Sequence, residues 1–577
     1  MSDQIQRSQL QRLSLPDFAG GINSANPQTD IADNEVVDAL NFEYDDSNNL
    51  VTRNGGQRRP ANGPFAIWDV SLWDSTTDFW GVTTDYTTRI TSMHLFQDNS
   101  GNEYILFTQS NKLYSMTKNG LTITDITGSL TLPVDTFWQW VNFNGVAIGV
   151  NKATSGDNPV KVTGAYPGTA AALGGSPPKA KYIEVWNNRV WITRADTPNT
   201  HVIRASKLGD HETWSTTGGT TANEGFEIAL DNFTRKITGI KAFKEKMVVF
   251  FEKSIYLISP IDAANVSSGS LIFNPDPKNL RVDLFTQNIG CISPYSIQTV
   301  LDDIVFLSEG GIASLQAALI TGDFRSSLVS RKIKELSSIQ RVTEEIPSLV
   351  VEDMSQYWIS IPAVAHTTGV GSVFVMDYRR ISEGIIRWTR FEGLPAGTAF
   401  TSWVEDKRVY GIGATSGANK FFPVFYSPKA NSKTFIDYQS AYAKNIRTKA
   451  YGFGTNLLRK LFKYWKLALE LLTNNVQISI NYFFNTRTNV AGTYGFNLVA
   501  STSGSQYDVS VYDSATYDAS TQAEEVIRRE IKLNSAGRKG RNIQFLISNN
   551  QSNQGFIIKQ FDIGYFIEHE QESEDIN

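Results

Sequence analysis

Histidines, cysteines and carboxylates are the side chains that most often carry chemistry, and this sequence is sparing with the first two. There are five histidines: His94, His201, His211, His366 and His569. No two stand at the spacing of a metal site on a helix or turn, and no CxxC, HExxH or EF-hand-like loop occurs. Nucleophile motifs are missing too, since no GxSxG occurs and Cys291 lies between Ile289 and Ile292 as a small core residue would. A phosphate cradle would need GxxxxGK[ST] or a Gly-rich turn between strand and helix; GGIN, GGS and STTGGT read as loops instead. Asp302 and Asp303 are adjacent in a polar turn, where neighbouring side chains diverge rather than form an acid/base couple. ASKLGDHETW (205–214) is similar to the Asp-box turn of sialidases in Ser206, Thr213 and Trp214. Leu208 and Asp210 depart from that pattern, and such boxes are structural. No catalytic, cofactor-binding or metal-ligating residue is therefore assigned, no cofactor is expected, and the expectation is a non-enzyme.

Two basic stretches, 447–466 and GRKGR (537–541), interleave aromatics and could stack nucleic acid. The preferred reading is a strand face with snorkelling lysines and a turn. The net charge of −5 over 577 residues is mild and argues against a dedicated nucleic-acid binder, though not against a surface past which DNA slides. With one cysteine, no intrachain disulfide can form. The first residues lack the apolar run of a secretory leader, and no stretch approaches ~18 unbroken apolar residues, so no membrane-spanning helix is expected.

The elements that would position any site are overwhelmingly strands. Ile240–Ile258 reads IKAFKEKMVVFFEKSIYLI and Ile297–Leu315 reads IQTVLDDIVFLSEGGIASL, with the same order of apolar and polar blocks. The hairpin inside them recurs at 96–107, 143–150, 185–192, 242–250, 300–307, 351–361 and 403–412, with turns spaced roughly 45–58 residues apart. That period suits propeller blades, each a meander whose fourth strand varies. The expected fold is all-β: a β-propeller of about seven blades (six to eight) over 65–430, with a β-rich platform built from 1–64 and 431–577. Asp33–Leu40 reads as a capped short helix or turn, and Asn41 to Tyr44 with Leu50 to Arg53 as a hairpin around DDSNN. The stretch 459–472 fits a helical face through Leu461, Trp465, Ala468 and Leu472, and a strand through Leu467, Leu469 and Leu471. VQISINYFF, EEVIRREIKL, GRKGRNIQFLIS and GFIIKQFDIGYFIE read as sandwich strands. HEQESEDIN reads as a frayed tail.

The opening FAGGINSANPQTDIADNEVVDALNFEYDDSNNLVTRNGG (18–56) resembles the N-terminal signature of tail nozzle (tail tubular, or hub) proteins of short-tailed phages. The matching residues are Gly20 to Asn23, Asp33 to Glu35, Asn41, and Arg53 to Gly55. WNNRVWI (186–192), RASKLGDHETW (204–214), the paired 237–258 and 288–315 segments and the closing strands resemble that family in order. The resemblance implies a structural virion protein of the tail, made in the host cytoplasm. Six copies would form a ring below the portal and its tail adaptor. Tail fibres or spikes would attach near the junction, and the axial channel would retain the genome and then pass it, without sequence-specific contact, during ejection. It names no channel or gate residue. The alternative is a glycan-binding or glycan-cleaving propeller, for which Trp138 and Trp140 could supply aromatic platforms.

Overall fold

A computed structural model of the chain describes residues 10–15, 17–55, 90–118, 122–151, 159–215, 224–230, 235–260, 280–317, 328–337, 339, 346–361, 371–393, 400–404, 408–415, 421–426, 435–437, 440–454, 458–499, 526–533, 539–567. The fold is all-β, about 4% helical, and contains a β-propeller. Four separate four-stranded antiparallel sheets cover 90–125, 138–172, 180–229 and 237–286. A fifth four-stranded meander, 348–391, is continuous with a larger sheet. Three-stranded meanders occupy 298–314 and 400–426.

Each of the seven hairpins read in the sequence forms an antiparallel pair opening one of these meanders. Their turns follow from local chemistry. Phe143 pairs with Val146 and Trp186 with Arg189, leaving two-residue loops. Asn144-Gly145 and Asn187-Asn188 both take positive φ at the two central positions, the backbone that asparagine and glycine tolerate best in a tight hairpin.

The first strands pack side by side around an axis. Ile90–Gln97 neighbours Trp138–Phe143, which neighbours Ala180–Trp186, which neighbours Ile237–Phe243. Phe400–Val404 packs beside Ile90–Gln97 in turn. The second strands are buried on both faces: Met247, Val249 and Phe251 join one apolar cluster with Trp191 and Ile203, while Val248 and Phe250 join the next with Ile304 and Phe306. That is why MVVFF is a continuous apolar run rather than an alternating one. Each such side chain contributes about 1.5–3 kcal/mol of burial.

Among the described residues the remaining strands form a two-stranded pair, Ile436–Asp437 with Ser440–Ala441, and two large sheets sharing one core. A seven-stranded sheet runs Val526–Lys532, Lys460–Leu471, Phe556–Ile567, Leu50–Thr52 and Phe42–Tyr44, with Gln11–Leu15 also paired to Phe556–Ile567. A ten-stranded sheet carries the fifth meander onward through Glu35–Leu40, Lys444–Thr448, Ile543–Asn549, Asn475–Phe484 and Gly492–Val499. Residues from both ends of the sequence thus interleave within single sheets, and Phe42, Trp465, Ile480, Phe545 and Phe561 meet in their common core.

Two local readings are settled by this packing. Asp33–Leu40 is not helical. Glu35–Leu40 is a strand whose Val36, Ala39 and Leu40 are buried, drawn into the sheet between Arg390 and the 444–448 strand. Lys460–Leu471 is a twelve-residue strand, with Trp465, Leu467 and Leu469 in the core. A register shift between Phe462 and Tyr464 changes its phase, so the core positions pass from Phe462 to Trp465, a helix-like step within a strand; the second shift, at Ala468 and Leu469, falls on the partner strand. The segment 507–520, the tail from 569, and the turn 405–407 lie outside the described residues.

Candidate functional site

The residues that set this sequence apart, Gly20 to Asn23, Glu35, Asn41 and Arg53, converge on the seam where the fifth meander meets the two-sheet core. Gly20 and Gly21 let the chain lie against its neighbours without a Cβ. A Cβ on Gly20 would stand 2.6 Å from Glu35 Cγ, and one on Gly21, where φ is +74°, would stand 2.8 Å from the Trp388 nitrogen. Asn23 Nδ2 then donates to Glu35 Oε2 at 2.8 Å, the Ala32 amide donates to the same oxygen at 2.9 Å, and Lys332 Nζ pairs with Oε1 at 2.7 Å. Burial pushes the Glu35 carboxyl up, but these three donors outweigh it and hold the group below its ordinary value.

Asn41 takes φ 61°, immediately before the Phe42–Tyr44 strand. Its Oδ1 accepts from Arg53 Nε at 2.8 Å and from the Glu392 amide at 3.0 Å, and its Nδ2 donates to the Ala443 carbonyl at 2.6 Å. One side chain thereby touches the N-terminal hairpin, the fifth meander and the 440–448 region. Arg53 continues the network. Nη1 donates to the Asn54 carbonyl at 2.8 Å and to Asp437 Oδ1 at 3.0 Å, and Nη2 donates to the Glu392 carbonyl at 3.0 Å and to Asp437 Oδ2. The guanidinium lies 4.0 Å from the Tyr442 ring centroid and 5.3 Å from that of Phe391. Burial alone would lower its proton affinity; the Asp437 carboxylate more than offsets this, so the cation is held more firmly than in water.

Around this pair Tyr442 donates its hydroxyl to the Arg53 carbonyl, and Tyr426 donates to Glu43 Oε2 at 3.2 Å. Lys444, fully buried, directs Nζ at Asn549 Oδ1 (3.2 Å) and the Gln551 carbonyl (3.1 Å). Burial, aided by nearby Arg53 and opposed by Asp437, pulls the ammonium down to about 8.

A second arginine group fastens the hairpin from the other side. Arg387, buried, donates Nη2 to Asp377 Oδ1 at 3.0 Å and stacks 4.0 Å over the Tyr44 ring. Arg379 donates to the Tyr44 and Asp45 carbonyls, and Tyr44 donates its hydroxyl to the Phe18 carbonyl at 2.9 Å. Chemically, the arrangement is a set of buried ion pairs: the Arg53–Asp437 fork is closed by further hydrogen bonds, whereas Arg387 leaves Nε and Nη1 without a hydrogen-bond partner among the described residues. It can fix relative position and register, and it aims no nucleophile at open space.

The other residues singled out in the sequence are dispersed. His94 lies on the first strand of its meander, 2.8 Å from Asn142 Oδ1, and burial lowers it to about 4. His201 is buried against the Pro198 carbonyl, and His211 sits in the 205–214 turn. Among the described residues no group of three His, Cys, Asp or Glu side chains could hold a metal, and His366 and His569 lie outside them. In the Asp-box-like turn Thr213 donates to Asp210 Oδ2 at 2.6 Å, and buried Trp214 donates Nε1 to the His211 carbonyl at 2.8 Å, a structural loop. Asp303 caps its own turn through the Ile304 and Gln316 amides, whereas Asp302 is exposed. Cys291 donates to the Ser293 carbonyl in the core, and burial pushes its thiol up to about 12.

Trp138 is buried, and Trp140 stacks on it at 5.6 Å and on His94 at 6.3 Å, so the two indoles face each other rather than open a platform. The 447–466 basic stretch is tied down internally. Lys449 pairs with Asp33, Lys466 pairs with Glu530, Lys460 is buried, and Lys463 lies over the Phe566 ring. In GRKGR, Lys539–Gly540 pairs with Lys460 and Leu461; residues 537 and 538 lie outside the described set. Sequence reasoning missed Asp437, Tyr442, Lys444, Asp377 and Arg387. Arg53, a cation directly after a strand reading Leu-Val-Thr, carried the one signal available.

No protein-family model matches the chain, and no curated protein matches it. Solved structures similar to it include YCF48 from Cyanidioschyzon merolae, 11% identical over 60% of this chain and 98% of that one, with a TM-score of 0.33. BamB from Moraxella catarrhalis is 11% identical over 72% of this chain and 100% of its own, also with a TM-score of 0.33. The Pan2 WD40 domain of Neurospora crassa is 9% identical over 60% and 92% of the two chains, again with a TM-score of 0.33.

Proposed function

We propose that this chain is a structural virion protein, the tail nozzle of a short-tailed phage, acting as a conduit and gate for DNA rather than as an enzyme. In this reading the seven hairpin-led meanders are seven propeller blades. The two-sheet core, woven from both ends of the sequence, is the platform. Six copies form a ring below the portal and tail adaptor, fibres or spikes attach near that junction, and DNA is retained above the tip and released through the axis. The supporting observation is the seam. The signature residues Gly20, Gly21, Asn23, Glu35, Asn41 and Arg53 are all spent on fixing the propeller to the platform. A protein that must stay in register while DNA is held and released under load needs that coupling. The glycan reading gains no support from Trp138, which is buried, or from Asp302 and Asp303, which serve a turn.

Electron microscopy of the purified protein, alone and with its tail adaptor, tests the proposal. A sixfold ring capped by the adaptor is expected. A monomer that ignores the adaptor and releases sugar from a host polysaccharide overturns it.

A further inference from the structure

Among the described residues, and leaving aside the first strands around the propeller axis, three strands of seven or eight residues stand at outer sheet edges: Gly492–Val499, Leu280–Thr286 and Val526–Lys532. Gly492–Val499 ends the ten-stranded sheet. Among the described residues it pairs only with Asn475–Phe484, in unbroken register from Asn475↔Val499 to Tyr482↔Gly492. Leu280–Thr286 ends the fourth meander, paired to Ile255–Pro260. The outer strands of the first three meanders are far shorter: Ile123–Asp125, Thr169–Ala172 and Phe226–Ala229. The outer strand of the fifth, Arg387–Phe391, is covered by Glu35–Leu40.

Long edges invite pairing with another chain, and stable proteins blunt them with charge, proline or bulges. The seven-stranded sheet does so at Val526–Lys532, which reads VIRREIK. Gly492–Val499 reads GTYGFNLV and has no charge, proline or register shift. Tyr494 and Phe496 pack toward the core, so Thr493, Gly495 and Asn497 face outward, and all three are exposed. Beside Gly495 that face is open: a Cβ there would find its nearest neighbour, the Ile478 carbonyl oxygen, at 4.0 Å. On Leu280–Thr286, Val282 and Leu284 share one face and are 40% and 43% exposed, while Arg281 and Asp283 neutralise each other at 2.7 Å.

We propose that these two edges belong together across copies: Gly492–Val499 of one copy receives Leu280–Thr286 of the next as an added strand. Backbone hydrogen bonds join the two sheets, and Val282 or Leu284 lies over the side-chain-free notch at Gly495. The two strands hold eight and seven residues; a bulge at Phe285 limits the regular stretch of the second to Leu280–Leu284, which carries Val282 and Leu284 and fits within the longer edge. Because two different surfaces of one chain meet, the contact is head-to-tail and propagates around an axis, as a ring requires. The inference rests on the ring reading given above and identifies the surface that would build it.

Cysteine cross-linking of the full-length protein tests the pairing, since the native Cys291 is buried. Gly495→Cys combined with Leu284→Cys, and separately with Val282→Cys, is oxidised, resolved on a denaturing gel and imaged by electron microscopy. A ladder of covalent multimers from a double variant, absent from each single variant, is expected. Gly495→Lys, checked for an unchanged melting temperature, is expected to give monomers. Dimers from Gly495→Cys alone would mean two-fold self-pairing and overturn the proposal. So would rings that form without any ladder, or an edge occupied by a different protein; these leave the ring reading standing. A ladder of open chains without closed sixfold rings supports the pairing and overturns the ring. A monomer without cross-links at high concentration overturns both.

Discussion

Arg53 and Asp437 stand 384 positions apart in the chain and meet as a two-pronged ion pair, Nη1 to Oδ1 at 3.0 Å and Nη2 to Oδ2, with side chains 0% and 5% exposed. A buried pair of this kind is expensive to break from one side only, because the partner charge is left without water or a counter-ion.

Arg53→Ala is therefore expected to lower unfolding stability by about 3–5 kcal/mol, read by urea denaturation. Arg53→Lys keeps the charge and loses the fork, so it recovers only part of the loss. A double change, Arg53→Met with Asp437→Leu, is expected to be milder than Arg53→Ala alone. Equal stability of Arg53→Ala and the native chain would show that the seam does not hold the parts together.

Gly21→Ala is expected to cost about 1–3 kcal/mol, since both its φ of +74° and the Trp388 backbone at 2.8 Å oppose a side chain. Gly101 has a similar φ of +82° with nothing within 4 Å, so Gly101→Ala carries the conformational cost alone, about 1 kcal/mol. Thermal melts of the two variants separate close packing from backbone conformation.

Lys444 titrates at about 8 in the fold and at about 10.4 in an unfolded chain. Between those values the unfolded chain binds more protons, so this residue makes stability rise with pH across that window, and the gain is absent below pH 8. Tyr442 and Tyr44, whose hydroxyls burial pushes up, act oppositely above their unfolded value of about 10. The difference between native chain and Lys444→Met isolates the lysine: stability relative to the variant should climb from pH 8 to 10. A flat difference would place the ammonium in a more hydrated setting.

Cys291, with its thiol pushed up to about 12 and no exposure, is expected to resist thiol reagents at pH 8 and to react only as the protein unfolds. Labelling followed by mass spectrometry across a urea series should track the unfolding curve. Prompt reaction in the native state would contradict its burial.

What the sequence made legible was local. Hairpins with Asn-Gly or Asn-Asn turns announce themselves because the turn chemistry and the apolar runs are adjacent in the chain. Gly20, Gly21, Asn23, Asn41 and Arg53 were visible as a pattern, but what each one touches was not. Asp437 lies in an unremarked Phe-Ile-Asp stretch, and nothing in its neighbours points back to Arg53. Asp33–Leu40 reads as a capped short helix or turn because Asp33, Asn34 and Glu35 make a good cap. The strand forms because its two partners, near Arg390 and at 444–448, are supplied from far along the chain. In Lys460–Leu471 a register shift between Phe462 and Tyr464 broke the alternation that marks a strand.

The pairing of Glu35–Leu40 with Lys444–Thr448 also sets a timetable for synthesis. Asp33 and Lys449 form an ion pair across 416 positions, which a ribosome adding ~5–20 residues per second covers in roughly 20–80 s. Throughout that interval the N-terminal strands have emerged with only one another to pair with and their long-range partners do not exist, while each meander of sequence-adjacent strands can close on itself soon after it appears. The nascent chain therefore carries locally closed meanders behind an N-terminal hairpin whose long-range partners are still missing.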